Sequence, residues 1–201
     1  AYVIPGLLGR EPWRNADIAT FGYMLEMASG ATNWLDPKLL GLRPEADGLL
    51  PYWLGAWAVQ WGPSVLSPIA LVRLPFAMML SLTLMATWYA VYFLAQNPRA
   101  QPVAFAFGGE ANPTDYARAI GDGGLLALIA CLGLAQLSHE VTTHLAQLCF
   151  ATLVFYAAAA MGYRIVVPTA ALAVGLAGLV LSAAPTLAVM FGGGAALLHL
   201  L

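Results

Sequence analysis

Charge is what this chain has least of. Of its 201 residues only 9% are Asp, Glu, Lys or Arg, against 61% hydrophobic, and the mean hydropathy is +0.77. Soluble domains carry about 25% charged residues. Too few solvated groups remain to cover a globule, so lipid is expected to solvate much of the surface, as in an integral membrane protein. A basic excess is also missing. The net charge of −2 excludes the clustered Lys and Arg that neutralise nucleic-acid phosphates. Cysteine is nearly absent, and Cys131 and Cys149 lie in apolar runs without ligand neighbours. Both are expected as buried small hydrophobes rather than a disulfide or a metal site. No repeat of about 20–50 residues is visible, which excludes a solenoid. The opening "AYVIPGLLG" lacks the basic n-region expected of a signal peptide. That stub and the terminal "FGGGAALLHLL" read as parts of spans in an N-terminal fragment of a larger membrane protein. The missing part of that protein is then an expected partner.

Long apolar runs are what the chain does have. A spanning helix needs about 20 mainly apolar residues, and residues 74–95 satisfy this without a charge. Arg73 stands at the start of that run, where its side chain is expected to snorkel toward the interface. Spans are predicted at about 70–95, 120–137 (absorbing Asp122), 145–161 and 169–190, with Pro185 kinking or ending the last. Residues 1–8 end one further span and 191–201 begin another. The expected fold class is an all-α multi-span membrane bundle with a long outer loop at 9–68. Alternation places that loop and the link 138–144 on one side, and 97–122 and 162–168 on the other. Arg164 marks the second side as cytoplasmic.

The loop 9–68 is itself patterned. Asn15 is suited to capping a helix, Ile18, Phe21, Leu25 and Ala28 follow at helical spacing, and Gly30 stops the run. Pro51 suits the first turn of a second helix, in which Trp53, Trp57 and Trp61 recur at steps of four. Both are expected as amphipathic helices in the membrane interface, the tryptophans serving as an aromatic anchor or, as the alternative, a ligand platform.

The scarce ions concentrate where chemistry is possible. "REPWRNAD" sets Arg10, Glu11, Arg14 and Asp17 at the entry to the first of these helices. Asp17 falls in the first turn, where the helix dipole favours a carboxylate. Arg10 and Arg14 suit an anionic group, because guanidinium grips phosphate oxygens in pairs. Such a carboxylate is a candidate base beside a lipid-borne phosphate, or simply a capping Asp with local ion pairs. "SHEVTTH" sets His139, Glu140 and His144 in one link on the same expected side. These residues suit proton transfer or a divalent metal, or form an ordinary polar turn. His199 is a lone histidine in an apolar run. "FGGEANPTDYARAIGDGG", with Glu110, Asp115, Arg118 and Asp122, lacks the following Lys of a phosphate-binding loop and reads as a solvated face.

The order of these features resembles a known family. "REPWRNAD", an interfacial helix, "DPKLLG", "PYWLGA" and "RLP" follow one another as at the start of the GT-C membrane glycosyltransferases. The nearest group is the lipid A aminoarabinose transferases and related family 39 enzymes. The likeness covers about residues 5–80, and 123–190 more loosely. It implies a periplasmic loop at the outer face of the bacterial inner membrane and a multi-pass chain. It also implies transfer of a sugar from a polyprenyl-phosphate donor to a lipid, glycan or protein acceptor. Asp17 would match the catalytic base, with Arg10 and Arg14 near the donor phosphate and Arg73 at the mouth of the first full span. Lys38, Asp47, His139, Glu140 and His144 complete the expected substrate-binding set. Several family acids and bases are replaced: the acid after the catalytic Asp is Ile18, and the Glu-Lys-Pro-Pro positions read Ala46, Asp47, Gly48 and Leu49. The acid after the third span is His144, and Lys-Gly-Pro in the fifth span reads Ala183, Ala184 and Pro185. Either the site is rebuilt from Asp17, Asp47, Glu140 and the histidines, or the fold serves a non-catalytic binding or partner subunit. An unrelated transporter or scaffold is the third alternative.

Overall fold

The computed structural model describes residues 2–7, 11–45, 48–103, 108–109, 111–131, 133–134 and 139–200, with side chains to Leu197. Among these residues the named elements are all helical. In chain order they are α1 Val3–Leu7, α2 Asn15–Ser29, α3 Leu50–Trp61, α4 Pro68–Ala95, α5 Pro113–Ala130, α6 Thr143–Ala160, α7 Val166–Leu181 and α8 Pro185–Leu200. A 3₁₀ turn, Pro98–Ala100, follows α4. Among the described residues two helices are long and apolar enough to cross a membrane, α4 with 28 residues and α6 with 18, while α7 and α8 are shorter apolar helices. At 1.5 Å per residue α4 extends about 42 Å.

Local chemistry sets the helix ends. The Ser67 hydroxyl accepts from the Ala70 N–H, and Pro68 occupies the first turn of α4. Asn112 does the same for α5 through the Thr114 N–H, with Pro113 following it. Gly30 takes a left-handed conformation (φ +77°), and its N–H closes on the Met27 carbonyl to end α2. Asn15, expected as the cap of α2, lies within the helix. Arg14 holds the cap position without a side-chain cap bond.

Helix α6 forms the centre, packed against α4 on one side and α7 on the other. It runs parallel to α4: Phe76, Leu80 and Leu145 share one cluster near their starts, and Phe93, Ala159 and Ala160 another near their ends. Small residues allow the close approaches. A Cβ on Gly175 would stand 2.7 Å from Val154 Cγ2, and one on Gly178 would enter the Phe150 ring. Helix α5 lies along the C-terminal half of α4, where Gly121 and Gly124 meet Trp88 and Val91. Met24, Met27, Phe76, Leu80 and Leu145 are fully or almost fully buried. Each contributes roughly 1.5–3 kcal/mol relative to exposure.

Several expectations change. The run 169–190, expected as one span, is two helices separated at Ser182–Ala184, where Ala183 adopts φ +62°. Helix α5 begins at Pro113, inside the expected loop 97–122, because Asn112 and Pro113 start it there. Residues 132 and 135–137 of the expected span 120–137, and residue 138 of the link, lie outside the described residues. Cys149 is buried as expected, but Cys131, at the end of α5, is exposed. In α2 the inward face is Asp17, Thr20, Met24 and Met27 rather than the apolar stripe from Ile18 to Ala28. Ile18 is 49% exposed. The helix carries two apolar stripes, and the one with the flexible Met24 and Met27 side chains is the more deeply buried, in a cluster with Tyr52, Phe76 and Leu80.

Candidate functional site

The buried ions gather where α1, α2, the start of α4 and the link 139–142 meet. Asp17 is 1% exposed, and its Oδ1 accepts the Val141 backbone N–H at 2.9 Å. That bond joins residues 124 positions apart. Arg14, one turn before Asp17, places Nη1 3.1 Å from Glu140 Oε1. This is an ion pair by distance, but Glu140 Oε1 lacks an aligned hydrogen bond. The Glu140 side chain is 3% exposed and that of Arg14 34%, so the pair has one end in the protein and one at the surface. Arg14 also lies 4.8 Å from the centre of the Trp13 ring.

Arg73 does not snorkel. It is 3% exposed, and its Nη1 donates to the Leu7 carbonyl at 2.6 Å. Leu7 ends α1, and a C-terminal carbonyl carries the partial negative charge that attracts a guanidinium inward. His139 holds the other end of α1. Its Nε2 is 3.1 Å from the Tyr2 carbonyl, its ring packs 4.9 Å from that of Tyr2, and Gly6 passes so close that a Cβ would enter the imidazole. Two basic side chains thus clamp the short first helix to α4 and to the link.

Five of the expected site residues therefore converge directly or through one neighbour: Asp17, Arg14, Glu140 and, across α1, Arg73 with His139. His144 departs from them. Helix α6 starts at Thr143, and the turn of that helix sends His144 to an exposed position. There it lines an apolar cavity of about 360 Å³ with Leu128, Leu134 and Leu148. Lys38 is also elsewhere, 3.4 Å from Asp36 on the exposed loop, where Arg43 reaches the same carboxylate at 2.9 Å. Slight desolvation acts upward on the Asp36 carboxyl, but the hydrogen bond and charge of Arg43, with Lys38, outweigh it and hold the group below its ordinary value. Arg10 and Asp47 lie outside the described residues. Among the described residues no group of three or more His, Cys, Asp or Glu side chains could hold a metal ion.

Sequence reasoning missed several members of this region. The Val141 N–H is backbone and has no residue-type signal. Among the described residues the hydroxyl of Thr142, 4% exposed, lacks a hydrogen-bond partner beside Glu140. Behind Asp17 stand Tyr23 and Tyr52, whose rings meet edge to face at 5.7 Å. Tyr23 donates to the Leu42 carbonyl at 3.1 Å. Burial first, then Tyr23 and Glu45, push the Tyr52 phenol up to about 12, against a lowering hydrogen bond with Thr20. Their helical spacing with Thr20 could have marked an inward polar face.

A second junction brings together two places that the resemblance singled out. A Cβ on Gly48 would collide with the backbone of Ser182 and Ala183, so the loop before α3 rests on the break between α7 and α8. Gln147 Nε2 donates to the Ser182 carbonyl at 2.6 Å, while the Ser182 hydroxyl is buried without a partner. What this architecture can offer chemically is a half-buried cation, two enclosed carboxylates and an unpaired hydroxyl at one end of a helical bundle. Compared with protein-family models, curated proteins and solved structures, the chain matches none.

Proposed function

We propose that the chain is the catalytic-loop portion of a divergent multi-pass glycosyltransferase of GT-C type. It would move a sugar from a polyprenyl-phosphate donor to a lipid, glycan or protein acceptor at the periplasmic face of the inner membrane. The observation that carries this reading is the meeting of Asp17 with the link 139–142. The resemblance expects a base at the entry of the first loop and an acidic partner after the third span. Here Glu140, not His144, stands beside the Arg14–Asp17 turn. The contact of Gly48 with Ser182 and Ala183 adds support, because both family motifs that contribute to such a site fall on that junction.

Membrane embedding is supported by the outward surface of the bundle. Met78, Leu126, Val174, Val189 and Leu197 are each more than half exposed, on four different helices. Aromatic groups flank both ends of α4: Trp34, Trp53, Trp57 and Trp61 stack in a ladder at one, and Trp88, Tyr92, Phe93 and Tyr163 cluster at the other. Aromatic belts at two interfaces are the arrangement of spanning helices.

In this mechanism Asp17 takes the acceptor proton and Arg14 moves from Glu140 to the donor phosphate. General base catalysis contributes about 10²–10⁴-fold. One specific observation favours the second reading, a non-catalytic binding or partner subunit. Asp17 is already enclosed and bonded to Val141, so its network is complete without substrate. Reconstituted protein supplied with a polyprenyl-phosphate sugar separates the two. Release of polyprenyl phosphate with glycosylated acceptor supports the enzyme, and saturable donor binding without release supports the binding subunit.

A further inference from the structure

The loop between α2 and α3 ends in a two-residue turn of unusual composition. Leu39 and Leu42 exchange both backbone hydrogen bonds at 3.0 Å. Leu40 at φ +52° and Gly41 at φ +83° form the tip. Turns with both central residues at positive φ favour Asn-Gly or Gly-Gly, because a branched apolar side chain gains nothing there and strains the backbone. Leu40 is nevertheless 97% exposed, with Leu42 at 71% and Leu35 at 75%. Three leucines are projected outward from a strained turn.

The base of the turn is rigid. Tyr23 donates to the Leu42 carbonyl, the Lys38 N–H to Thr32 Oγ1 at 2.7 Å, and the Leu35 N–H to Asn33 Oδ1 at 2.8 Å. Leu39 turns the other way, onto Gly22, where an added Cβ would stand 2.8 Å from Leu39 Cδ2. The outward leucines are therefore held away from the core. Trp34, immediately before Leu35, stacks on Trp57 at 6.1 Å, and Trp57 on Trp61 at 5.9 Å, so the tip continues an indole ladder. Within 35–43, Lys38 and Arg43 share one acid, Asp36, which leaves a cation in excess.

We propose that residues 35–43 form a membrane-inserting tip, in which Leu35, Leu40 and Leu42 enter the acyl boundary of a bilayer and Lys38 and Arg43 meet anionic lipid phosphates. Leu39 and Leu42 satisfy each other's backbone groups, which lowers the cost of bringing the base of the turn to the headgroup boundary. The excess cation and the neighbouring indoles select a lipid headgroup layer as the occupant. The tip thereby tethers the loop that connects α2, with Asp17, to α3. This inference rests on the membrane reading above, and its test separates the two.

The protein is reconstituted in vesicles of phosphatidylcholine and phosphatidylglycerol, with Cys131→Ser and Cys149→Ala. It then carries a single environment-sensitive label at Leu40→Cys or, as the embedding control, at Met78→Cys on α4. The expected result is a Leu40 label quenched by doxyl groups near the glycerol level and shielded from aqueous iodide, with the shielding weakened when phosphatidylglycerol is omitted. A Leu40 label open to iodide beside a shielded Met78 label overturns the tip and leaves the membrane reading intact. Iodide quenching at both positions overturns both. A Leu40 label shielded from iodide yet untouched by doxyl lipid overturns the tip in favour of a protein contact.

Discussion

The two ends of α4 use polar groups in opposite ways. At its start, buried groups bridge segments far apart in sequence: Asp17 to Val141, Arg14 to Glu140, Arg73 to Leu7 and His139 to Tyr2. At its far end the polar contacts are shallower and more local. Trp88 Nε1 donates to Asp122 at 2.8 Å, Arg118 pairs with Asp115 one turn away, Gln96 reaches Tyr92, and Arg164 lies over the Phe93 ring. Enclosed ions are costly to leave unpaired, whereas surface pairs contribute little. The first end therefore fixes which segments meet, and the second decorates an aromatic belt.

Breaking one member at each end measures the difference. The largest effect is expected from Arg14→Ala, which leaves Glu140 enclosed without its cation. Unfolding in micelles is expected to show a loss of about 3–5 kcal/mol, and Glu140→Gln, which removes the enclosed charge, a smaller one. Next comes Asp17→Leu, which orphans the Val141 N–H at a cost of about 1–3 kcal/mol. Asp17→Asn keeps an acceptor oxygen and is expected to cost less in the same assay.

Tyr52 supplies a pH test of the enclosed end. Its phenol is raised from the ordinary 10 to about 12, so the native state holds this proton more tightly than the unfolded chain. The resulting stability is present below about pH 10 and is lost as pH rises from there through about 12. Ultraviolet titration of phenolate is expected to show a late step that Tyr52→Phe removes. The smallest effects belong to the far end. Asp122→Asn is expected to cost no more than about 1 kcal/mol, and Arg118→Ala within about 0.5 kcal/mol. A far-end loss equal to that of Arg14→Ala would dissolve the contrast.

The legibility of the sequence follows the same division. Features set by residue type alone appear where expected: Gly30 stopping α2, Pro51 in the first turn of α3, and the indole ladder at steps of four. Features set by distant partners do not. The inward face of α2 depends on a backbone N–H at Val141, and the burial of Arg73 depends on where α1 ends. Neither has a signature in local pattern. The break at Ser182–Ala184 was visible only through Pro185, because the positive φ at Ala183 belongs to a residue type that rarely adopts it. Proximity in sequence groups His144 with Glu140, yet a helix start at Thr143 turns it aside. The acidic link itself is legible from charge scarcity, since only 9% of the residues are charged.

On the proposed function Asp17, enclosed beside Arg14 and Glu140, is a base and not merely a strut. The most direct measurement is sugar transfer from a polyprenyl-phosphate donor by reconstituted protein, comparing wild type with Asp17→Asn. Donor affinity and thermal stability are read on the same preparations. The account predicts a rate lower by about 10²–10⁴-fold, with donor affinity retained and the fold intact. A variant that transfers sugar at the wild-type rate would contradict it.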